Sequence, residues 1–466
     1  MCGIVGYIGK GCAKDVVLDG LGKLEYRGYD SAGIALLDKG RLAVEKIAEI
    51  QDENNKSKIA KLQDLLKEKY LDANVAIGHT RWATHGTPSI LNAHPHVSND
   101  GMIAVVHNGI VENYSELKEM LLKKHNIRCK SETDSEVIAQ LLSVFCADGL
   151  DLVDAMLKAT GMMKGAYAIG AIYKNDENKI VGYRKDAPLI ACHTDEGTFI
   201  ASDMTALLKH SKDVYFLDDD ELVVCKADSM QILNRDKEVV EKEIFHIDWN
   251  IETAEKGGYD HFMLKEIHDQ PDVLEDTLSR RLDSNGRINL DGISLTLDDL
   301  NKIKKIYIVA CGTAYHAGLV GKTLIEKWAK IPVEVDVASE FRYRDPLVDE
   351  NTLFIAVTQS GETLDTLMAL REAKKKGARV LSIVNVVGSS IARESDDVFY
   401  TWAGPEIAVA STKGYTTQLM CLYLIALYMG RLKETISAET EKKVLEELKS
   451  VPSKVSGLLE NEGKIE

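Results

Sequence analysis

The chain has 466 residues, too many for one compact core, so two or three domains are expected. It is 45% hydrophobic and 28% charged, and its 57 Lys and Arg against 73 Asp and Glu give a net charge of −16, which argues against nucleic acid or an anionic membrane as the main partner. No signal-peptide pattern opens the chain, and the longest apolar run, Leu419 to Met429, falls short of the ~20 residues that span a bilayer, so a cytoplasmic protein is expected.

The chain begins Met1-Cys2-Gly3-Ile4-Val5-Gly6. Initiator Met is normally removed before a small residue. Its loss here would put a thiol nucleophile and an α-amine base, with a reference pKa near ~8, on one residue. The competing reading of Cys2 is a small apolar side chain at the start of a strand. Up to about residue 225, apolar strands (Ile4 to Ile8, Gly33 to Leu37, Val75 to Ile77, Ile103 to His107, Ala166 to Tyr173, Leu222 to Cys225) alternate with helical stretches. Tyr114 to Lys124 and Asp134 to Phe145 read as amphipathic helices, the second opened by Thr133-Asp134-Ser135-Glu136. A mixed, layered α/β domain follows from this pattern. The eight cysteines show no C-x-x-C pair, so neither a disulfide framework nor a zinc knuckle is expected.

Three clusters accompany Cys2. In Gly78-His79-Thr80-Arg81-Trp82-Ala83-Thr84-His85-Gly86, Arg81 offers a planar fork for a carboxylate and Trp82 a flat lid beside it; a surface Arg and a core Trp is the alternative. In Val106-His107-Asn108-Gly109, a side-chain amide followed by a backbone N–H suits an oxyanion hole, and Asn-Gly is also a common turn. Asp134 can pair with a substrate ammonium or simply begin its helix. His79, His85, His94, His96 and His107 crowd the region, but their spacing matches no metal-binding pattern. The run Asp218 to Glu221 fits no EF-hand and reads as a solvated turn.

Together, Cys2-Gly3-Ile4, Glu25-Tyr26-Arg27-Gly28-Tyr29-Asp30-Ser31-Ala32-Gly33, His79 to Gly86 and His107-Asn108-Gly109 resemble the class II (N-terminal nucleophile) glutamine amidotransferase family. The Tyr-Arg-Gly-Tyr-Asp form of the second cluster resembles the glucosamine-6-phosphate synthase branch. The resemblance implies that Cys2 attacks the glutamine side-chain amide with its own α-amine as base. It also implies that Asn108 and the Gly109 N–H hold the oxyanion. Arg81 would take the substrate carboxylate and Asp134 its ammonium, with Trp82, Thr84 and His85 completing the glutamine site.

Between about 241 and 300 the pattern weakens, and a linker is expected there. From Lys305 the chain reads strand (Ile306 to Ala310), turn, helix, strand (Leu353 to Val357), turn, helix (Leu364 to Lys375), strand (Val380 to Val386). Continuous apolar strands separated by helices predict a parallel sheet covered on both faces, with ligands at the carboxyl ends of its strands. The turns Ala310-Cys311-Gly312-Thr313-Ala314-Tyr315 and Thr358-Gln359-Ser360-Gly361-Glu362-Thr363 gather hydroxyls and N–H groups at helix starts, which suits a phosphate. Good helix caps are the alternative. Gly318 to Thr323 ends like a P-loop, but His316 stands where its first Gly belongs, and no G-x-G-x-x-G follows a strand.

These turns, with Gly404 to Lys413 and Lys256 to Ile267, resemble the first sugar isomerase (SIS) domain of the same branch. The implied fold is α/β: an N-terminal Ntn-hydrolase αββα sandwich followed by a flavodoxin-like parallel α/β SIS domain. The expected division is 1–240 glutaminase, 241–295 linker, 296–436 SIS domain, and 437–466 a helical connector whose apolar face has nothing to pack on. By resemblance, Thr313, Thr358, Gln359, Ser360 and Thr363 hold the sugar phosphate and Val409 and Ser411 meet the sugar hydroxyls. Ala314 stands where the family often has a phosphate-binding Ser. The family also carries a second SIS domain beyond this point, so a C-terminally incomplete chain is expected. The implied reaction joins L-glutamine and D-fructose 6-phosphate to give D-glucosamine 6-phosphate and L-glutamate, with ammonia passed through a closed channel, no metal or cofactor, and a homodimer through the SIS domains. That is the reaction of the longer parent enzyme; the 466 residues as they stand are expected to give glutamate without amino sugar, and a glutaminase-only fragment and a non-catalytic sugar-phosphate-binding module are the rival readings.

Overall fold

The computed structural model describes residues 2–25, 28–48, 57–83, 86–247, 257–283, 285–290 and 292–464. Its chain divides into two units, Met1–Asn250 and Ile251–Glu466. Among the described residues no helix is long and apolar enough to cross a membrane.

Two antiparallel sheets face each other in the first unit. The larger has eight strands in the spatial order Phe245–His246, Asp213–Phe216, Ile190–Thr194, Gly197–Ala201, Gly3–Gly9, Val75–Arg81, Ser31–Asp38 and Arg41–Ile47. The smaller has six, in the order Ser229–Leu233, Glu221–Lys226, Asp176–Lys185, Gly165–Tyr173, Ile103–Val111 and His96–Val97. Side chains alternate across a strand, and Ile103–Val111 shows the result. Its Ala104 and Val106 enter the core between the sheets with Ile4, Ile77 and Ile200. Its Ile103 and Val105 enter a second core under the helices Tyr114–His125, Glu136–Ala147 and Leu152–Met162. The helix Ala13–Lys23 packs on the outer face of the larger sheet against Gly3–Gly9 and Val75–Arg81. The layers therefore run α, β, β, α, the Ntn-hydrolase sandwich. Both faces of each sheet are covered, so the central strands read as unbroken apolar runs although they are antiparallel.

The second unit holds a five-stranded parallel sheet in the order Val333–Val337, Lys305–Ala310, Thr352–Val357, Arg379–Val384, Asp397–Tyr400. That is the flavodoxin-like order, whose switch point lies between the first and third strands in sequence. One face packs on Gly312–Trp328 and Lys413–Leu432, the other on Ala338–Phe341 and Leu364–Lys375.

Two segments depart from expectation. Within 241–295, the helices Phe262–His268 and Gln270–Ser279 form, and Leu274, Leu278, Ile288, Leu290 and Leu295 are core residues of the second unit rather than linker. The helix Ala438–Leu459 is not an unpartnered connector. It packs on Gln270–Ser279 and adds Leu445 and Leu448 to that same core. Its apolar positions found their partner upstream in the chain, which the local pattern does not reveal.

Candidate active site

Cys2 precedes the strand Gly3–Gly9 at the centre of the larger sheet, and the partner strand Val75–Arg81 ends beside it, with Gly3 opposite Thr80. The Trp82 backbone N–H donates to Cys2 Sγ at 3.3 Å, and the Trp82 carbonyl lies 3.6 Å from the same sulfur. Burial pushes the Cys2 thiol above its ordinary pKa, while the Trp82 N–H, the amino terminus and Arg81 pull the other way.

Asn108 reaches the nucleophile from the smaller sheet. Its Nδ2 donates to the Cys2 backbone carbonyl at 3.0 Å, and its Oδ1 lies 3.0 Å from His79 Nε2. Gly109 follows with φ +116, and a Cβ there would stand 2.0 Å from the Ala166 carbonyl oxygen, so only glycine fits. Arg81 is 4% exposed and donates through Nη2 to the Gly86 carbonyl at 3.2 Å. The Trp82 ring meets Tyr29 edge-on at 5.3 Å. Cys2, Arg81, Trp82, Gly109 and Asp134 line one pocket together with His94, His107, Thr133 and Ser135.

Asp134 does not cap its helix. Its Oδ2 accepts the Val111 N–H at 2.8 Å, and its Oδ1 accepts the Ser135 hydroxyl at 3.3 Å. The carboxylate thus sits at the end of the Asn108-Gly109 strand, facing the pocket. Met1, Tyr26, Arg27, Thr84, His85 and Lys256 lie outside the described residues.

Four of the clustered histidines are buried together: His94 stacks on His79 at 4.1 Å and meets His96 edge-on at 4.6 Å, with His107 at 6.4 Å. Burial holds His79 down to about 3 and His94 and His96 well below the usual imidazole range. Among the described residues no group of three or more His, Cys, Asp or Glu is placed to hold a metal ion.

In the second unit the two hydroxyl turns fall at the carboxyl ends of Lys305–Ala310 and Thr352–Val357, at the switch point. Thr313 is exposed in the first turn of the helix Gly312–Trp328, whereas Ala314 is buried in the core. Neither Cys311 nor Thr363 caps its helix with a side-chain bond. Instead Thr363 Oγ1 lies 3.3 Å from Thr358 Oγ1, which also accepts the Gly361 N–H, and Ser360 Oγ accepts the Glu362 N–H. The helix starts therefore keep their N–H groups for something other than their own side chains.

Asn385 ties this turn to the loop that carries Val409 and Ser411. It donates its N–H to the Gln359 carbonyl and its Nδ2 to the Gly404 carbonyl. Val409 is 58% exposed, and Ser411 donates to Glu406 at 3.0 Å. Glu406 also accepts the Thr412 and Gly414 N–H groups, and Glu266, 1% exposed, accepts those of Ile407 and Ala408. Sequence reasoning assigned no role to Glu266 or Glu406. Glu266 shares the short helix Phe262–His268 with Lys265 and His268, so nothing in the local pattern marks it as the buried one of the three.

The glutamine amidotransferase domain model matches residues 64–246, and the SIS domain model matches 299–428. A glutamine–fructose-6-phosphate aminotransferase (isomerizing) of Clostridium acetobutylicum is 51% identical over 466 residues, covering 100% of this chain and 75% of that protein. The enzyme of the same name from Thermus thermophilus is 46% identical over 461 residues, 99% of this chain and 74% of the relative. Among solved structures, the C-terminal domain of glucosamine-fructose-6-phosphate aminotransferase from Francisella tularensis matches 45% of this chain and 59% of its own at 45% identity and a TM-score of 0.43. The chain belongs to the glutamine–fructose-6-phosphate aminotransferase (isomerizing) family.

Proposed function

We infer that the chain converts D-fructose 6-phosphate and L-glutamine to D-glucosamine 6-phosphate and L-glutamate. With Met1 removed, the Cys2 α-amine takes the thiol proton and the thiolate attacks the glutamine side-chain amide. The Asn108 Nδ2–H and the Gly109 N–H hold the oxyanion of the tetrahedral intermediate. Arg81 takes the substrate carboxylate and Asp134 its ammonium, and the family resemblance assigns Trp82, Thr84 and His85 to the same glutamine site. The α-ammonium returns that proton to the departing nitrogen, so collapse expels ammonia and leaves a γ-glutamyl thioester, which water hydrolyses to glutamate with the thiol regenerated. In the second unit, Thr313, Thr358, Gln359, Ser360 and Thr363 bind the phosphate and Val409 and Ser411 the sugar. A cytoplasmic location and a homodimer through the SIS units belong to this reading on the strength of the family resemblance.

The observation that carries the reading is the 3.0 Å bond from Asn108 to the carbonyl of Cys2 itself, which sets an amide donor beside the nucleophile. The test is treatment of the Met-processed protein with a thiol-alkylating glutamine analogue, followed by peptide mass spectrometry, and an assay for both products. Cys2 carrying the label, with glucosamine 6-phosphate formed from both substrates, supports it. An unlabelled Cys2 removes every glutaminase reading, and glutamate without amino sugar reduces the activity to the glutaminase half.

A further inference from the structure

We propose that His79 is a positioning residue for glutamine hydrolysis, its Nε2–H fixing which way the Asn108 side-chain amide faces. The proposal rests on the reading of Asn108 as oxyanion donor. An asparagine amide is nearly symmetric in shape but opposite in polarity at its two ends. Turned the wrong way, it would present a carbonyl oxygen to the developing oxyanion and repel it. Something must therefore choose the orientation.

His79 is fully buried, on the strand Val75–Arg81 of the larger sheet, while Asn108 belongs to the smaller sheet. Across that interlayer space, His79 Nε2 lies 3.0 Å from Asn108 Oδ1 and 3.0 Å from the His107 carbonyl oxygen. The His107 carbonyl can only accept, so Nε2 must carry the hydrogen, and the Asn108 atom 3.0 Å from it must then be the oxygen. That leaves the Asn108 NH₂ pointed at Cys2, where one N–H already reaches the Cys2 carbonyl at 3.0 Å. The His94 ring packs against the His79 imidazole at 4.1 Å with its plane tilted by 31°, which limits rotation of the His79 ring. His79 is also the register partner of Ile4, two residues after the nucleophile, so one strand pairing sets His79 relative to Cys2, and Asn108 meets both from the facing sheet.

The test compares His79→Gln with His79→Asn in glutamine hydrolysis by the full chain. A Gln amide reaches the position of imidazole Nε2 and can donate to Asn108; an Asn amide stops at the position of Nδ1. H79Q is expected to keep kcat within about fivefold, and H79N to lose about 10- to 100-fold in kcat with KM changed by no more than about twofold, because an oxyanion donor acts mainly in the transition state. In an Asn108→Ala background, H79N should cost no more than about a further twofold. Equal losses in H79N and H79Q, a loss confined to KM, or an undiminished H79N effect in the N108A background would each overturn the proposal while leaving the active-site reading intact. Wild-type kcat in N108A overturns both. Histidine ¹⁵N NMR of the unmutated protein gives an answer independent of variant folding: a His79 protonated on Nε2 is expected, and one protonated on Nδ1 alone overturns the assignment.

Discussion

Trp82 offers the Cys2 sulfur both halves of its peptide chemistry, an N–H at 3.3 Å and a carbonyl at 3.6 Å. The N–H favours a thiolate and the carbonyl a thiol, so one residue accommodates the sulfur in either protonation state. Burial tips the balance toward the thiol.

A pH profile of Cys2 alkylation follows from that balance. With Met1 retained, and thus no free α-amine on Cys2, the iodoacetamide rate measured by mass spectrometry should still be climbing at pH 9, the ordinary thiol value. A plateau near neutral pH would mean that the Trp82 N–H and Arg81 outweigh burial.

Substrate anchoring is separable from chemistry. Arg81→Met should lower kcat/KM for glutamine about 10- to 100-fold, chiefly through KM, because a charge-assisted bond to a carboxylate persists from ground state to transition state. Steady-state kinetics of glutamate release check this, and an effect on kcat alone would remove Arg81 from the carboxylate site.

Gly109→Ala places a Cβ 2.0 Å from the Ala166 carbonyl at a φ of +116. Backbone strain of this kind costs about 1–3 kcal/mol, which for a unit of this size is a fall of several degrees in melting temperature. Thermal unfolding should show that drop together with loss of glutaminase turnover.

Disrupting the hydroxyl turn should act only on the second unit. Ser360→Ala and Thr363→Ala are expected to weaken fructose 6-phosphate binding about tenfold by calorimetry, while Cys2 labelling and glutamate release stay at parental levels. Cys2→Ala should do the reverse.

The buried histidines make the first unit acid-sensitive. Their folded pKa values lie below the unfolded value of about 6.5, with His79 at about 3. Below pH 6.5 the unfolded chain takes up protons that the folded chain refuses, so stability falls as pH drops from 6.5 toward 3 and is unaffected by these groups above that window. Urea unfolding at pH 7 and pH 5 should show the loss. His94→Gln, if folded, should flatten the slope.

The legible parts of the site were those whose chemistry sits in contiguous residues. Arg81-Trp82 and Asn108-Gly109 are readable as motifs; the structure gathers Arg81, Trp82 and Gly109 with Cys2 and Asp134 in one pocket and bonds Asn108 to the Cys2 carbonyl. Asp134 was ambiguous because a helix start and an ammonium partner ask for the same side chain; its bond to Val111, 23 residues away, settles that it is no cap. The histidine cluster read only as a failed metal site, since the contact that gives His79 a task crosses between two sheets. In the second unit the parallel strands were visible as apolar runs. The helix Ala438–Leu459 was misjudged because its packing partner, Gln270–Ser279, lies far back in the chain.

Glu266 gives the segment before the parallel sheet a practical meaning. Anyone excising the sugar-binding half near residue 296 would discard the carboxylate that grips Ile407 and Ala408, and with it Leu274 and Leu278 from the core. The recombinant piece would retain every residue of the hydroxyl turn Thr358 to Thr363 yet have a slack Gly404 to Thr412 loop and a greasy, uncovered helix. A cut placed ahead of Phe262 keeps both, so the natural excision point lies more than thirty residues upstream of where the strand pattern alone would put it.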